Sequence, residues 1–192
     1  MRRLNFKDIF IPTISLFIIC IVITAALAVT NAVTKNTIAE NELNARNDSM
    51  KIVCPEAETF ELKAEFDDGE IYEALDTNGD VKGYAVSTSA SGYGGVIKVM
   101  TGISLDGTVI AIDVFYNDDE TPGLGKNTSN ESFTSQFKDL LTSDKIVVSK
   151  DYSGVGQQVD AVTSSTISSR AVTDAVNKAC ELYNNEISGG ES

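Results

Sequence analysis

The chain has 192 residues, of which 42% are hydrophobic, and its 28 Asp and Glu residues against 15 Lys and Arg residues give a formal net charge of −13. A chain this acidic repels nucleic-acid phosphates, so we expect no nucleic-acid partner. The sequence contains no histidine, the commonest metal ligand, and its three cysteines are too few for an iron–sulfur cluster held by four cysteines.

Residues 9–34 predict a single transmembrane helix. They contain no charged residue and are longer than the roughly 20 residues needed to cross a hydrocarbon core. A cleaved signal peptide is the alternative, because residues 26–28 (ALA) resemble a cleavage site, but the apolar run is long for such a peptide. Three basic residues lie within residues 1–8, so we expect a cytoplasmic N-terminus and an extracytoplasmic remainder.

The next segments predict a connector followed by a sheet. Residues 35–65 mix charges with good helix formers, which indicates a juxtamembrane helix and connector in which Pro55 ends the helix. Residues 66–187 are expected to form the extracytoplasmic domain, and residues 188–192 a flexible tail. Four β-type runs separated by turn signals predict an antiparallel meander over residues 70–116.

Two helices and a strand are predicted in the C-terminal half. Residues 131–141 bring apolar side chains onto one helical face, and Asn130 precedes them as a cap. Residues 145–150 read as a strand. A core-facing helix follows, with apolar residues at helical spacing from Ile167 to Tyr183. The fold class is therefore α+β: one N-terminal transmembrane helix, then a domain with an antiparallel sheet and flanking helices.

Six hydroxyl side chains crowd into residues 163–169, where the last helix begins. A helix N-terminus presents unpaired amide N–H groups and a partial positive charge, which favour a bound anion. Hydroxyl groups add further hydrogen-bond donors. The pattern indicates a phosphate site, although a plain Ser/Thr-rich helix cap is the simpler alternative.

Three stretches together resemble a known family. They are GYGGVIKVMTGISLDGTVIAIDV (92–114), ETPGLG (120–125) and DAVTSST (160–166), and they resemble the FMN-binding domain of the RnfG and NqrC type. In that family the motif D-x-x-(S/T)-G-A-(T/S) accepts FMN through a phosphoester bond to its last hydroxyl residue, which is Thr166 here. This chain has two serines in place of Gly-Ala, and Asp118 stands where relatives often carry histidine.

The resemblance implies a set of site residues. Thr166 would carry covalent FMN, and Asp160 would be recognised by the flavin transferase that attaches it. No lysine or histidine is expected beside Thr166 as a base, so attachment would need that separate enzyme. The other implied cofactor contacts are Thr163, Ser164, Ser165 and Ser168 for the phosphate, and Glu120, Thr121 and Leu124 for the flavin ring. No catalytic residue and no metal ligand is implied.

The resemblance also implies a function. The chain would be a single-pass cell-membrane subunit of the Rnf ion-translocating ferredoxin:NAD+ oxidoreductase, relaying electrons between redox centres of neighbouring membrane subunits, one of which also carries flavin. Ferredoxin and NAD would bind other subunits. The alternatives are an NqrC-like subunit of a Na+-translocating NADH:quinone oxidoreductase and a membrane-anchored flavin-binding or sensory module.

The cysteines leave one question open. Cys20 lies within the apolar run, while Cys54 and Cys180 fall outside it, on the extracytoplasmic side that we expect. These two either form a disulfide or stay as small buried thiols, because spacing alone does not fix cysteine pairing.

Overall fold

The computed structural model describes residues 6–151 and 154–189. The chain divides into two compact units, and the boundary in the sequence lies between Leu43 and Asn44. Helix α1 (Phe6–Val53) contains the apolar run, and its exposed side chains and length meet the requirements of a membrane-crossing helix. This agrees with the predicted membrane anchor.

The second unit is built on an antiparallel sheet of five strands in sequential order. The strands are β1 (Thr59–Phe66), β2 (Gly69–Leu75), β3 (Val81–Ser91), β4 (Val96–Ser104) and β5 (Val109–Tyr116). The predicted meander is confirmed, but it starts earlier than residue 70, because β1 lies in the predicted connector. This edge strand is mostly exposed and alternates charged with apolar residues, so it lacks the apolar run that marks the inner strands.

One face of the sheet is covered by the last turns of α1. Met50 and Val53 pack in a buried cluster with Tyr72 and Met100. Gly102 permits this contact, because a Cβ atom at that position would lie 2.3 Å from the carbonyl oxygen of Val53. Residues 44–53 therefore belong to the core of the second unit.

The other face is covered by helix α3 (Thr166–Tyr183). Its buried side chains include Val172, Ala175 and Val176, which pack against the sheet residues Ile97 and Val99. The predicted amphipathic helix is confirmed, with one error. Ile167, in the first turn of the helix, is 51% exposed and lines a cavity.

The segment after β5 is less helical than predicted. Helix α2 covers only Glu131–Thr134, and a 3-10 turn follows at Ser135–Phe137. Asn130 caps the helix through its carbonyl oxygen, which accepts the N–H of Phe133 at 2.9 Å, and not through its side chain. Asp139 has φ 64°, a left-handed conformation that ends the helical path.

Two short strands complete the unit. β6 (Ile146–Val148) confirms the predicted strand, and it pairs in parallel with β7 (Gln157–Val159), which the sequence did not indicate. With a sheet between helices and one apolar N-terminal helix, the predicted α+β fold class is confirmed.

The two cysteines of the second unit are free thiols in different parts of the core. Cys54 packs with the end of α1, and Cys180 lies on α3 on the other side of the sheet. Burial raises the pKa of each thiol to about 12. The disulfide alternative is therefore wrong, and the two residues act as small buried apolar groups.

Candidate functional site

The first turn of α3 opens into a cavity of about 550 Å³. Three segments that are distant in sequence form its walls: the turn at residues 92–95, the loop at residues 120–125, and residues 164–168. The structure thus brings together the ETPGLG loop and the hydroxyl cluster, as the sequence predicted.

Glu120 ties these three segments together. It is only 2% exposed, and its Oε1 atom accepts the backbone N–H of Gly94 at 3.1 Å. Its Oε2 atom accepts the hydroxyl of Ser168 at 2.8 Å, so the carboxylate lies beside the first turn of α3, where the helix dipole favours a negative charge. Glycines make room for it: a Cβ atom at Gly125 would lie 1.9 Å from Oε2, and one at Gly92 would lie 2.2 Å from Oε1.

These contacts limit what two predicted site residues can offer to a ligand. Both carboxylate oxygens of Glu120 already accept protein hydrogen bonds. The single hydroxyl proton of Ser168 is donated to Glu120, so in this arrangement it is not available to a phosphate. Both residues line the cavity, and the geometry gives them a role in holding its walls together.

The ETPGLG loop makes a tight turn that presents Leu124 to the cavity. The carbonyl oxygen of Thr121 accepts the N–H groups of Leu124 at 3.1 Å and Lys126 at 3.2 Å, and Gly123 supplies the positive φ of 77° that the turn needs. Leu124 is 41% exposed. Thr121 and Leu124 therefore offer a polar and an apolar contact at one wall.

The start of α3 has a hydrogen-bond donor without a partner. Ser164 takes a left-handed φ of 61°, and Ser165, at the N-cap position, makes no side-chain cap hydrogen bond. The Ser165 hydroxyl is buried without a hydrogen-bond partner, although the residue lines the cavity and is only 6% exposed. A buried hydroxyl left unsatisfied costs about 1–3 kcal/mol, which an anion in the cavity would recover.

A lysine lies directly beside the predicted attachment residue. The Nζ atom of Lys150 is 3.1 Å from Oγ1 of Thr166 and donates a hydrogen bond to it. A lysine therefore does lie beside Thr166, but it donates to the hydroxyl oxygen and is not placed as the base that we expected to be missing. The two residues are 16 positions apart, and only the tertiary fold brings them together.

A second cation lies one turn further along α3. Arg170 donates two hydrogen bonds to Asp151, at 2.6 Å and 2.5 Å, and these contacts lower the pKa of the Asp151 carboxyl. Asp151 follows Lys150 in the same short turn. The ion pair thus fixes the turn that places the lysine beside Thr166.

Asp160 and Thr163 lie outside this cavity. They line a neighbouring polar cavity of about 810 Å³, which shares Leu124 and Ser164 with the first. The Asp160 backbone is fixed by Gln136, whose side chain accepts its N–H at 2.7 Å and donates to its carbonyl oxygen at 3.2 Å. The Asp160 side chain is exposed.

Asp118, whose role the sequence left open, is exposed and forms an ion pair with Lys126 at 3.5 Å. Neither residue lines the cavity that contains Thr166.

Three residues of the site were not identified from sequence: Tyr93, Lys150 and Ile167. A glycine-flanked tyrosine is a weak signal of a loop at a site, and nothing in the sequence singled out the lysine. Across the described residues, no group of three or more Asp, Glu or Cys side chains is placed to bind a metal ion. The site offers an anion position at the helix end next to an apolar wall.

Comparisons with known proteins match both parts of the chain. Residues 92–181 match the FMN-binding domain family, and residues 1–53 match the RnfG N-terminal region. The chain is 35% identical to the G subunit of the Na(+)-translocating ferredoxin:NAD(+) oxidoreductase complex of Acetobacterium woodii, over 95% of each chain. It is 34% identical to the G subunit of the proton-translocating ferredoxin:NAD(+) oxidoreductase complex of Clostridium ljungdahlii, over 91% of each chain.

A more distant relative and two solved structures agree with this. The chain is 32% identical to the G subunit of the ion-translocating oxidoreductase complex of Methanosarcina acetivorans, over 91% of this chain and 94% of that protein. NqrC of Shewanella oneidensis has a TM-score of 0.52 at 19% identity, over 73% of this chain and 74% of that one. The C subunit of the Na(+)-translocating NADH-quinone reductase of Parabacteroides distasonis has a TM-score of 0.51 at 21% identity, over 60% of each chain. The two structures share the fold.

Proposed function

This chain belongs to the RnfG family, the G subunits of ion-translocating ferredoxin:NAD+ oxidoreductase complexes, and we propose that it carries its FMN as a phosphoester of Thr166. It is an electron-transfer subunit of a multi-subunit redox enzyme with an FMN-binding domain. The family and the function predicted from the sequence are confirmed at this level.

The observation that carries the proposal is the polar environment of Thr166. Its hydroxyl oxygen accepts a hydrogen bond from Lys150, and the unpartnered Ser165 hydroxyl is its neighbour in the cavity wall. A phosphodiester bears one negative charge, which the ammonium group and the amides of the first helical turn would stabilise. In a chain with a net charge of −13, few positions favour an anion in this way.

We place the flavin ring in the cavity next to Thr166, which has a volume of about 550 Å³. FMN supplies the one- and two-electron redox chemistry, and the protein sets its position and surroundings. We assign Thr121 and Leu124 to contacts with the ring and Ser165 to the phosphate. Glu120 and Ser168 hold the loop and the helix at the distance that leaves the cavity open.

Attachment requires a second protein. The Thr166 oxygen would attack the flavin-side phosphorus of FAD, so that a new P–O bond forms, the pyrophosphate P–O bond breaks and AMP leaves. The hydroxyl proton would pass to a base of the flavin transferase. Lys150 donates to the Thr166 oxygen, so it would stabilise the phosphoryl group and would not remove the proton. The exposed Asp160, at the neighbouring cavity, is the recognition residue that we propose for the transferase.

We place the domain on the extracytoplasmic side of the membrane, with residues 1–8 in the cytoplasm, because the basic residues of the short N-terminal flank precede the apolar run. A tethered flavin keeps its position there for electron transfer, whereas a dissociated one is diluted. The neighbouring membrane subunits, including a second flavin-carrying one, are the proposed partners. Ferredoxin and NAD bind other subunits in this proposal.

The test is co-production of the full chain with a flavin transferase, followed by in-gel fluorescence after denaturation in dodecyl sulfate. A covalent flavin survives denaturation, and intact-mass measurement reports its addition. We expect a fluorescent band for the wild type and for Thr166→Ser, and none for Thr166→Val. A band in Thr166→Val, or a wild type that releases all its flavin on denaturation, rejects the ester and favours a non-covalent flavin module.

The role of Asp160 has its own test in the same assay. Asp160→Asn keeps the size of the side chain and the Gln136 contacts of the backbone, so we expect folded protein with strongly reduced loading. Full loading of Asp160→Asn would show that the carboxylate is not needed for recognition.

A further inference from the structure

Three large apolar side chains are exposed around the cavity that contains Thr166. Tyr93 is 72% exposed, and Leu124 and Ile167 join it in the lining of the cavity. Each comes from a different one of the three wall segments. Clustered exposed apolar side chains at a concave site indicate a surface that an apolar ligand covers.

The backbone that carries Tyr93 is fixed. The N–H of Gly92 donates to the carbonyl oxygen of Gly95 at 2.7 Å, and the N–H of Gly94 donates to Glu120. A Cβ atom at Gly94 would lie 2.0 Å from the carbonyl oxygen of Asp119, so the backbone of this loop packs directly against the backbone at Asp119. The tyrosine side chain is therefore the part of this loop that extends into solvent, and its torsions set where the ring lies.

We propose that the Tyr93 ring covers the isoalloxazine of FMN and shields it from water. This inference rests on the proposed function, because the flavin must be held next to Thr166. Aromatic rings prefer offset-stacked or edge-to-face contacts, and such contacts add to the burial of apolar area. Leu124 and Ile167 complete the apolar enclosure from the ETPGLG loop and the helix.

This arrangement accounts for an unfavourable feature of the site. A tyrosine side chain on a rigid glycine-flanked turn exposes most of its apolar surface, and Ile167 is half-exposed at the start of an otherwise buried helix face. A flavin ring in the cavity would remove part of the apolar surface of Tyr93, Leu124 and Ile167 from water. It also lowers the local polarity around the ring, which is one means by which a protein sets a flavin potential.

The experiment measures how well iodide quenches the fluorescence of the bound flavin. The full chain is co-produced with a flavin transferase and purified in detergent, and intact mass fixes the loading of each sample. Tyr93→Ser removes the ring, Tyr93→Phe keeps it, and Leu62→Ser changes an exposed apolar residue on the edge strand β1. None of the three substitutions changes a charge, so the iodide concentration near the protein is matched.

We expect the rate constant for collisional quenching by iodide, obtained from fluorescence lifetimes, to be about 2- to 10-fold higher in Tyr93→Ser than in the wild type, in line with loss of one aromatic contact. The loading and the visible circular dichroism of this variant should report that the flavin is still attached. Tyr93→Phe and Leu62→Ser should match the wild type. An unchanged rate constant for iodide quenching in loaded Tyr93→Ser overturns the proposal. The proposal is also overturned if iodide quenches the flavin of Tyr93→Phe as efficiently as that of Tyr93→Ser. If intact mass shows that the wild type carries no flavin, the Thr166 ester is rejected. That outcome is distinct from failure of the Tyr93 proposal, which is tested only on protein that carries flavin.

Discussion

The ammonium group of Lys150 donates a hydrogen bond of 3.1 Å to the hydroxyl oxygen of Thr166, and this contact joins a short turn before β7 to the first residue of α3. It places a positive charge where a flavin phosphate would be esterified. The neighbouring ion pair between Asp151 and Arg170 fixes the same turn, so the position of the charge is set by the fold.

We predict that Lys150→Met slows flavin attachment without abolishing it. The lysine is exposed, so its effect is that of a screened charge, and we expect an initial rate about 2- to 5-fold lower. The rate is measured by in-gel fluorescence with purified transferase and FAD. Raising the salt concentration should reduce the difference from wild type, because salt screens exposed charges.

Lys178→Met is the matched control for Lys150→Met. It removes the same charge from a position on α3 that lies about 18 Å along the helix axis from Thr166. Equal rates for the two variants would mean that Lys150 acts only through net charge, which contradicts a local contact with the phosphoryl group.

A second prediction concerns the buried carboxylate of Glu120. Glu120→Ala leaves the N–H of Gly94 and the hydroxyl of Ser168 without their acceptor, so we expect a loss of about 1–3 kcal/mol in the free energy of unfolding. Glu120→Gln retains an acceptor and the side-chain volume, and should lose less. Denaturant unfolding followed by circular dichroism measures both, with the exposed Glu131→Ala as the control. Equal stability of Glu120→Ala and the wild type would refute the role of Glu120 in joining the three segments.

The two buried thiols give a third prediction, which follows from the direction of their pKa shifts. Burial raises the pKa of Cys54 and Cys180 to about 12, so the reactive thiolate is scarce at neutral pH and stays scarce to well above pH 9. We expect both thiols of the folded protein to resist iodoacetamide at pH 8 and to react quickly in denaturant. Peptide mass mapping identifies the modified residues. Rapid native labelling of either, or a disulfide between them, would contradict the buried free-thiol assignment.

The sequence was informative where a residue's environment is set by its neighbours in the chain. The inner strands and α3 follow from alternating and helical apolar spacing, and the hydroxyl cluster was found because its members are adjacent. Strand β1 was missed although its apolar residues alternate with charged ones, because the segment was assigned together with the helix formers that precede it. The apolar spacing of residues 131–141 predicts one helix, but burial of Phe133 and Phe137 requires only a short helix and a 3-10 turn, so the pattern does not specify the helix length.

Residues of the site that act through tertiary contacts could not be found from the sequence. Lys150 reaches Thr166 only after β6 and the following turn are placed beside α3. Ile167 fits the apolar period of α3, yet it lines the cavity at the first turn and is half-exposed. Periodicity identifies a helix face but not what lies opposite to it.

The fourth prediction concerns where the flavin-binding domain begins. The sequence placed the start at residue 66, whereas residues 44–53 of α1 and strand β1 supply part of the core and one strand of the sheet. We therefore propose a domain of residues 44–189, and we expect the fragment 44–192 to fold and to accept flavin without the apolar run. The fragment 66–192 lacks Met50 and Val53, which leaves Tyr72 and Met100 uncovered, and it should aggregate or stay unfolded. Circular dichroism, size-exclusion chromatography and in-gel fluorescence compare the two. A folded, flavinylated fragment 66–192 would contradict the assignment of α1's last turns to the domain core.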